Sequence, residues 1–172
     1  FSILPPFHIG NTTMGYGLGT AGASAFNVEG GAKKRAISMM GDGGFWHNGL
    51  LTGVQAALFN GDDAVLVIMK NGYTSATGTQ NIPSSPDLSA REGRGISIES
   101  TLRGLGVKWL ERVPNYQVSE VADALRRAMT TEEQGLKIII ADGECMLERT
   151  RRERPVKAQQ LAARLLELGV YV

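Results

Sequence analysis

The sequence predicts an α/β fold, in which a parallel sheet is flanked by helices on both faces. Two apolar runs, "RAISMMGD" (35–42) and "DAVLVIMKN" (63–71), have the continuous hydrophobic character of strands that are buried on both sides. Segments with apolar residues at helical spacing alternate with these runs and with two further short strands. Strand–helix alternation of this kind is typical of parallel sheets with crossover helices.

The first third of the chain is predicted to lead into this sheet through a buried helix. Residues 1–13 are expected to be irregular, because Pro5 and Pro6 oppose regular structure. Residues 14–26, "MGYGLGTAGASAF", lack charge and mix small with apolar side chains, which predicts a tightly packed helix. A turn then precedes the first strand.

The remaining elements follow from apolar spacing and from turn residues. Asn48 is the predicted N-cap of a helix that Asn60 and Gly61 end with a left-handed cap. The polar stretch 72–94 is longer than an ordinary connection, which is typical of functional or disordered loops. A basic connector, "ERTRRERP" (148–155), precedes a last amphipathic helix. The other predicted elements are a helix at 98–105, a strand at 107–110, a helix at 119–129 and a strand at 136–141.

Composition excludes several classes of protein. The formal net charge of +1 argues neither for nucleic acid nor for a strongly basic membrane-binding surface, so neither is expected as a partner, and 42% apolar residues indicate a folded domain. The single cysteine, Cys145, excludes a disulfide framework or a cysteine-rich metal site within this chain and predicts a reduced, cytoplasmic protein. No apolar run reaches the length of a membrane span. The chain begins with Phe1 rather than Met, which predicts a fragment or processed product of a longer protein.

Ligand-type residues follow both central apolar strands. The first ends at Gly41-Asp42-Gly43-Gly44 and the second at Asn71, with 27 residues (44–70) between the GDG triplet and the asparagine. Because ligands of open α/β sheets bind beyond the carboxyl ends of the strands, we expect Asp42 and Asn71 to lie close together. Such oxygen donors suit Mg²⁺ or Ca²⁺, and Mg²⁺ usually combines one or two protein ligands with phosphate oxygens and water. Glycine N–H groups at a helix N-terminus suit phosphates. The pattern predicts a metal–diphosphate site, whereas a Gly-Gly pair alone is equally typical of a simple turn.

The GDG triplet, its spacing to Asn71 and the segment "TTMG" (12–15) together resemble the thiamine diphosphate-binding domain of thiamine-dependent enzymes, over residues 10–142. The resemblance implies a thiamine diphosphate-binding fold, with Mg²⁺ held by the side chains of Asp42 and Asn71 and by the backbone carbonyl of Tyr73. It further implies that the Thr12 carbonyl accepts the cofactor's exocyclic amine and that Met14 supports its bent shape. Other cofactor contacts are expected from Gly15, Gly41, Gly43, Gly44 and Thr74.

A narrower resemblance lies in "NGYTSATGTQ" (71–80), whose Asn71, Tyr73, Thr77, Gly78 and Gln80 are similar to a stretch of 2-oxoacid:ferredoxin oxidoreductases. The segment "GDGGFWHNG" (41–49) resembles the alpha subunits of indolepyruvate ferredoxin oxidoreductases, in which an aromatic–His pair follows the metal-binding acid. The resemblance implies oxidative decarboxylation of 2-oxoacids, aryl pyruvates such as indolepyruvate in particular, with ferredoxin as the electron acceptor.

The departures from that family predict what the chain needs from elsewhere. Such enzymes carry iron–sulfur clusters on cysteine-rich modules, and their partner domain supplies the glutamate that activates the aminopyrimidine. We therefore expect the clusters and the ferredoxin contacts on regions outside this chain, a pyrimidine-binding domain or subunit as partner, and an oligomer. The chain alone is expected to be inactive. The predicted division is a thiamine diphosphate- and Mg-binding domain over 1–150 and a basic linker with a C-terminal amphipathic helix over 151–172.

Several single residues have two interpretations each. His47 contacts the substrate carboxylate or the thiazolium region, or it is a helix-start histidine bonded to a nearby carbonyl. Thr74 and Thr77 bind the diphosphate or order their own loop. The run "RTRRER" is a solvated linker or recruits an acidic partner. The remaining polar residues are not expected to act in the site. His8, beside the prolines, is expected to be structural or near an entrance, Asp62 and Asp63 to be solvated turn residues, and Cys145 to be a buried or inert thiol.

Two other functions are compatible with the same motifs. A non-oxidative thiamine-dependent decarboxylase or an acetolactate synthase-like carboligase uses the same cofactor, but the Thr-Gly-x-Gln stretch favours the oxidoreductase. A non-catalytic diphosphate-binding module can use the same glycine loop, and fold alone does not exclude it.

Overall fold

A computed structural model of the chain describes residues 4–10, 12–28, 35–86 and 95–168. The strands in these ranges are β1 (Ile37–Gly41), β2 (Val65–Lys70), β3 (Tyr73–Thr74), β4 (Gln80–Asn81), β5 (Trp109–Pro114) and β6 (Lys137–Asp142). Four of them form one parallel sheet in the order β1-β2-β6-β5, and β3 and β4 pair as a short antiparallel ribbon. The predicted α/β fold class is confirmed.

The helices of the described residues precede, separate and follow these strands along the chain. They are α1 (Leu18–Ala21), α2, which joins Asp42–Gly44, Phe45–Gln55 and Ala56–Asn60 without a break, α3 (Ile98–Gly104), α4 (Val118–Thr130) and α5 (Met146–Glu167), with 3₁₀ turns at Ala23–Val28 and Ser75–Thr77. The middle part of α2 is wound as a π-helix. None of the helices in this part of the chain is long and apolar enough to cross a membrane.

The two faces of the sheet are covered by different helices. Leu66 and Ile68 of β2 face one side and pack in a cluster with residues of α2 and α3, such as Phe45 and Leu102. The alternate residues of β2 and β6 face the other side and pack against α4. Alternation of side chains along a strand puts a core on each face, so the central strands are apolar throughout. The predicted helix cover on both faces is confirmed.

The prediction that the first strand is buried on both faces is wrong. β1 lies at the edge of the sheet, and Ile37 and Met39 are 48% and 63% exposed. Their registered neighbours Val65 and Val67 on β2 are buried in the cluster formed with α4. The cover that α4 gives to this face therefore ends at β2. A strand whose two faces differ in cover can have the same apolar sequence as a central one.

The predicted buried helix over 14–26 is also largely wrong. Only Leu18–Ala21 is α-helical, Ala23–Val28 is a 3₁₀ turn, and Met14, Tyr16 and Phe26 are exposed. Gly17 precedes α1 with φ 85°, and Gly22 ends it. Glycine is costly inside helices and permits the left-handed conformation, so the glycines of this segment confine the helix to one turn.

Helix α2 begins six residues before the predicted N-cap at Asn48. Gly41 is its extended N-cap, and Asp42 is its first residue. The Asp42 side chain accepts a hydrogen bond from the N–H of Gly43 at 2.9 Å, which satisfies one of the N–H groups that a helix start leaves unpaired. At the other end, Gly61 adopts φ 68° and ψ 30°, so the predicted left-handed cap is confirmed.

The second half contains two further differences from the prediction. The strand predicted at 107–110 is β5, Trp109–Pro114, because the N–H of Val107 still bonds to Leu102 O at 3.1 Å and closes the end of α3. The predicted basic linker is not a linker, since "ERTRRERP" lies within α5. Pairs of opposite charge four residues apart stabilise that helix, namely Glu148 with Arg152, Arg149 with Glu153, and Glu153 with Lys157. The division into two domains at 150 and 151 stays a prediction.

The aspartates between α2 and β2 are structural rather than solvated. Asp62 is 9% exposed and accepts a hydrogen bond from the Ser24 hydroxyl at 2.7 Å. Asp63 pairs with Arg35 at 3.0 Å and with Lys137, whose side chain is fully buried. Arg35 also donates to the carbonyls of Ala128 and Met129 at the end of α4. The expectation for Asp62 and Asp63 is therefore wrong, because this turn ties the amino ends of β2 and β6 to α4.

We expect Asp63→Asn to destabilise the fold by about 3 kcal/mol, because it leaves the Lys137 ammonium buried without its carboxylate. Urea unfolding measures the change. The matched control is Asp123→Asn, which breaks an exposed pair with Arg126 and is expected to change the free energy of unfolding by less than about 1 kcal/mol. Equal effects of the two variants would contradict the assignment.

The same pair predicts an acid dependence. Burial raises the pKa of Asp63, but hydrogen bonds and charge from Lys137 and Arg35 outweigh it and leave the pKa below its usual value. A carboxyl group with a depressed folded-state pKa stabilises the fold above its unfolded pKa of about 3.9. That contribution is lost as the pH falls through the lower folded-state value, and Asp63→Asn is expected to remove this part of the pH dependence.

Candidate functional site

The Asp42 carboxylate joins the carboxyl ends of β1 and β2. It is 1% exposed, and its Oδ2 accepts hydrogen bonds from the backbone N–H groups of Asn71 at 2.9 Å and Gly72 at 2.6 Å. Its Oδ1 accepts from Gly43 N–H. The two strands are parallel neighbours, with Gly41 registered against Met69. The prediction that Asp42 and Asn71 lie close together is confirmed, whereas their role as metal ligands stays a prediction.

The charge of Asp42 is held in a region of low solvent access. Burial raises the pKa of this carboxyl group, while the hydrogen bonds from Gly72, Asn71 and Gly43 and the charge of Lys70 act against the rise. The Lys70 ammonium itself bonds to Asp142 at 2.9 Å, and Arg112 also pairs with Asp142. The cations beside the site are therefore already paired with another carboxylate. A further cation near Asp42 would favour its charged form.

The Asn71 side chain is oriented by its own loop. Its Oδ1 accepts from the N–H of Tyr73 at 3.0 Å, and its Nδ2 donates to the Ser75 hydroxyl at 2.9 Å. Gly72, between them, has φ 86°, a left-handed conformation that glycine adopts without strain. This turn brings the backbone of Tyr73 and Thr74 against the start of α2.

The two glycines after Asp42 permit close approach of neighbouring segments. A Cβ at Gly43 would lie 2.5 Å from Thr74 Oγ1, and a Cβ at Gly44 would lie 3.1 Å from the Tyr16 ring. The N–H of Gly43 bonds to Asp42 rather than pointing to an open position. Packing against protein is thus a reason for both glycines, in addition to the phosphate contact predicted from the sequence.

Tyr16 links the "TTMG" segment to the start of α2. Its carbonyl accepts from the Thr52 hydroxyl at 2.9 Å, and its ring meets the His47 ring edge to face at 5.5 Å between centroids. The preceding residues Thr12, Met14 and Gly15 are exposed, and Met14 is exposed to 49%. The structure therefore places Tyr16, the residue directly after the predicted pyrimidine segment, against the first turns of α2 near Gly44.

His47 is exposed on the first turns of α2. The structure puts it next to Tyr16 and not into the core, which is compatible with contact to a bound molecule. Its neighbour Trp46 donates from Nε1 to the Ser84 hydroxyl at 2.8 Å and so ties α2 to the long loop. Of the aromatic–His pair, Trp46 therefore packs against the protein, whereas His47 is exposed.

The loop after Asn71 is fixed by hydrogen bonds of its own. The Ser85 hydroxyl donates to Gly72 O at 2.5 Å and accepts from the N–H of Ile82 at 2.8 Å. Thr77 bonds through its hydroxyl to Gln80 Oε1 at 2.7 Å, so this pair orders the turn between β3 and β4. Residues 87–94, the remainder of the predicted functional loop, lie outside the described residues.

Sequence reasoning missed several residues that shape the site. Tyr16 was unremarkable in an uncharged segment, and Ser75 and Ser85 were two of many loop hydroxyls. By contrast, the two glycines of "GLLTG" (49–53) are a sequence signal for close packing of α2 against its neighbours. A Cβ at Gly53 would lie 2.8 Å from Gly17 O, and one at Gly49 would lie 2.6 Å from Met40 Sδ. Small residues four positions apart allow α2 to approach both α1 and β1 closely.

The donor set limits which ion fits. Within the described residues, no three His, Cys, Asp or Glu side chains are grouped so as to hold a metal ion. A cation here would bind one carboxylate together with amide, backbone and non-protein oxygens. That set suits Mg²⁺, which commonly takes one or two carboxylates and completes its octahedron with phosphate and water oxygens.

Comparison with known proteins identifies relatives of the chain. The family model described as "Thiamine pyrophosphate enzyme, C-terminal TPP binding domain" matches residues 3–141. The indolepyruvate oxidoreductase subunit IorA of Methanothermobacter marburgensis is 31% identical over 160 residues, which are 92% of this chain and 25% of that protein. The subunit of the same name from Archaeoglobus fulgidus is 32% identical over 142 residues, covering 82% of this chain and 22% of that protein. The chain thus spans about a quarter of the length of these curated relatives.

A solved structure has a similar fold. The 2-oxoglutarate:ferredoxin oxidoreductase from Magnetococcus marinus, determined with 2-oxoglutarate, coenzyme A and succinyl-CoA bound, superposes with a TM-score of 0.60. The match is 17% identical and covers 76% of this chain and 46% of that chain. At this identity the likeness concerns the fold.

We expect Gly43→Ala to destabilise the chain by about 1–3 kcal/mol, because the new methyl group would collide with Thr74 and force the segment after Asn71 away from α2. Gly41→Ala is the matched control, since a Cβ there meets nothing within 4 Å and its extended backbone suits alanine. Thermal unfolding of both variants without ligand measures the difference. A Gly43→Ala protein as stable as Gly41→Ala would contradict the packing role.

Proposed function

Since the chain belongs to the thiamine pyrophosphate enzyme family as a C-terminal TPP-binding domain, we propose that Asp42 and Asn71 hold thiamine diphosphate through Mg²⁺. The observation that carries this proposal is the buried Asp42 carboxylate at the ends of two neighbouring strands. Its described hydrogen bonds come from backbone N–H groups, and no ion pair with it is found among the described residues. A divalent cation would supply the positive charge that compensates such a buried carboxylate.

The oxygen atoms retain acceptor capacity for the metal. An sp² oxygen has two lone pairs, and Asp42 Oδ1 and Asn71 Oδ1 each accept one described hydrogen bond. Each therefore has one lone pair for the ion, while Oδ2 of Asp42 uses both of its own to fix the carboxylate. The carbonyl of Tyr73 is the proposed third protein ligand. The residues present fit a Mg²⁺ ion that is shared with a diphosphate.

The start of α2 is the proposed diphosphate site. A helix N-terminus has a partial positive charge and N–H groups without intrahelical partners. Of the three glycines here, Gly41 has open space at its Cβ position, whereas Thr74 and Tyr16 fill that space at Gly43 and Gly44. The Thr74 hydroxyl lies close to Gly43 and is proposed as a further donor to the phosphate oxygens. Asp42 fixes the backbone of both segments, so these donors are in place before the cofactor binds.

The exposed segment before Tyr16 is the proposed contact for the organic part of the cofactor. The Thr12 carbonyl is assigned to the aminopyrimidine amine, and Gly15 leaves room beside it. Met14 presents an apolar side chain that is 49% exposed and can pack against the bound rings. Thiamine diphosphate supplies, when bound, the carbanion chemistry by which 2-oxoacids lose CO₂.

The substrate and the electron acceptor are proposed from the relatives. The IorA subunits are named indolepyruvate oxidoreductases, and we propose oxidative decarboxylation of 2-oxoacids, aryl pyruvates in particular, with ferredoxin as acceptor. His47 is exposed beside Tyr16 and is assigned to the substrate carboxylate. We further propose that the iron–sulfur clusters lie on regions outside this chain and that a pyrimidine-binding partner supplies the activating glutamate. The proposal also includes assembly as an oligomer and a cytoplasmic location.

Calorimetric titration with thiamine diphosphate tests the cofactor site. In the presence of the partner domain, we expect binding that requires Mg²⁺, and Asp42→Asn is expected to weaken it by more than about 100-fold, because loss of outer-shell groups alone costs about 10–100-fold. Asp123→Asn, at an exposed position, is the control for loss of a charge. Binding without Mg²⁺ dependence, or unchanged binding by a folded Asp42→Asn protein, would defeat the proposal.

Activity tests the need for a partner. The 172-residue chain alone is expected to show no 2-oxoacid decarboxylation, because no activating glutamate is provided, and addition of the partner domain or subunit is expected to restore turnover. In the restored enzyme, His47→Gln is expected to raise KM about tenfold with little effect on cofactor affinity, as for loss of a hydrogen bond to a charged group. Robust turnover by the chain alone would exclude the partner requirement.

A further inference from the structure

We propose that Ser75 and Cys145 are positioning residues that fix the orientation of the Asn71 amide, and that α5 thereby helps to set Mg²⁺ affinity. The inference rests on the proposed role of Asn71 as a metal ligand. Its structural basis is a chain of hydrogen bonds from Asn71 Nδ2 to Ser75 Oγ at 2.9 Å, then to Cys145 Sγ at 3.1 Å. The thiol in turn accepts from the N–H of Glu148 at 3.5 Å.

The orientation of the Asn71 amide matters because only its oxygen can bind a hard cation. A reversed amide would point Nδ2 at the N–H of Tyr73, which is a contact between two donors. The Ser75 oxygen supports the same orientation from the other side, because it accepts from Nδ2. The amide is thus held between two partners that fix which of its ends carries the oxygen.

Cys145 is the link between this loop and the body of the fold. It is 4% exposed and is the N-cap of α5, three residues after the end of β6, and its sulfur accepts a hydrogen bond from one of the N–H groups of the first turn. Ser75 and Cys145 can share their contact with either group as the donor, and in both cases the serine oxygen still accepts from Asn71. The start of a long helix therefore sets the position of a hydroxyl in a short loop.

A second contact joins α5 to the same loop. Arg151, two turns along the helix, donates to Gly78 O at 2.8 Å and to Thr79 Oγ1 at 2.6 Å. The beginning of the helix is itself tied down, because the Tyr116 hydroxyl donates to Glu144 O at 2.9 Å. Helix α5 thus contacts the segment 75–79 at two points, and the Cys145 contact is the one that leads to Asn71.

The experiment compares Mg²⁺ affinity, in the presence of thiamine diphosphate and the partner domain, among four variants of the full protein. Ser75→Ala is expected to weaken Mg²⁺ binding about tenfold, and Cys145→Ala about threefold, because it acts through Ser75. Cys145→Ser is expected to restore near wild-type affinity, since a hydroxyl can make both hydrogen bonds. The matched control is Thr150→Ala, which removes an exposed hydroxyl of α5 that bonds only to Met146 O among the described contacts.

A second readout needs no ligand. Hydrogen exchange of the Tyr73 amide, resolved by mass spectrometry of overlapping fragments, is expected to quicken in Ser75→Ala and Cys145→Ala and to stay unchanged in Thr150→Ala. Faster exchange with unchanged Mg²⁺ affinity, or no change in either measurement, would overturn the positioning role. If the wild-type protein binds no thiamine diphosphate with Mg²⁺, the proposed function fails, and unchanged Tyr73 exchange would then separately show that Ser75 and Cys145 do not hold Asn71.

Discussion

The structure depends on one buried carboxylate that accepts three backbone hydrogen bonds. Asp42 lies where β1 becomes α2, and it bonds to the N–H groups of Gly43, Asn71 and Gly72. Burial of an acid costs free energy unless hydrogen bonds or a cation compensate for it. Here the compensating donors belong to the two segments that must stay together, so the same contacts that make the charge tolerable also fix the shape of the site.

The segments around Asp42 approach each other more closely than side chains would allow. Gly43 meets Thr74, Gly44 meets Tyr16, and Gly53 meets the backbone of Gly17. The glycine-rich first half of the chain is therefore explained partly by close packing between segments of the same chain. Of the glycines at the start of α2, Gly41 leaves open space at its Cβ position for a bound diphosphate, whereas Thr74 and Tyr16 occupy that space at Gly43 and Gly44.

The residues that stabilise the fold and those of the candidate site lie in different parts of the sheet. The two-sided core of β2 and β6, and the pairing of Asp63 with Arg35 and Lys137, lie away from the carboxyl ends of the strands. At the carboxyl ends, short polar segments are held by serine hydroxyls, by the N-terminus of α5 and by Asp42. The candidate site is thus built from loops that a rigid sheet positions, so the sequence of these loops can suit a ligand without weakening the core.

The sequence by itself determined the fold class, most of the strands and the meeting of Asp42 with Asn71, because apolar runs and the residues that end them are local features and consecutive parallel strands are commonly neighbours. It did not determine that β1 exposes Ile37 and Met39, that residues 14–26 contain a single α-helical turn followed by the start of a 3₁₀ turn, or that "ERTRRERP" is helical. Nor did it distinguish Asp63, which pairs with a buried lysine, from an ordinary turn acid. Only the tertiary structure decided these points, because burial, ion pairing and the contact of Cys145 with Ser75 depend on residues up to 74 positions apart in the chain.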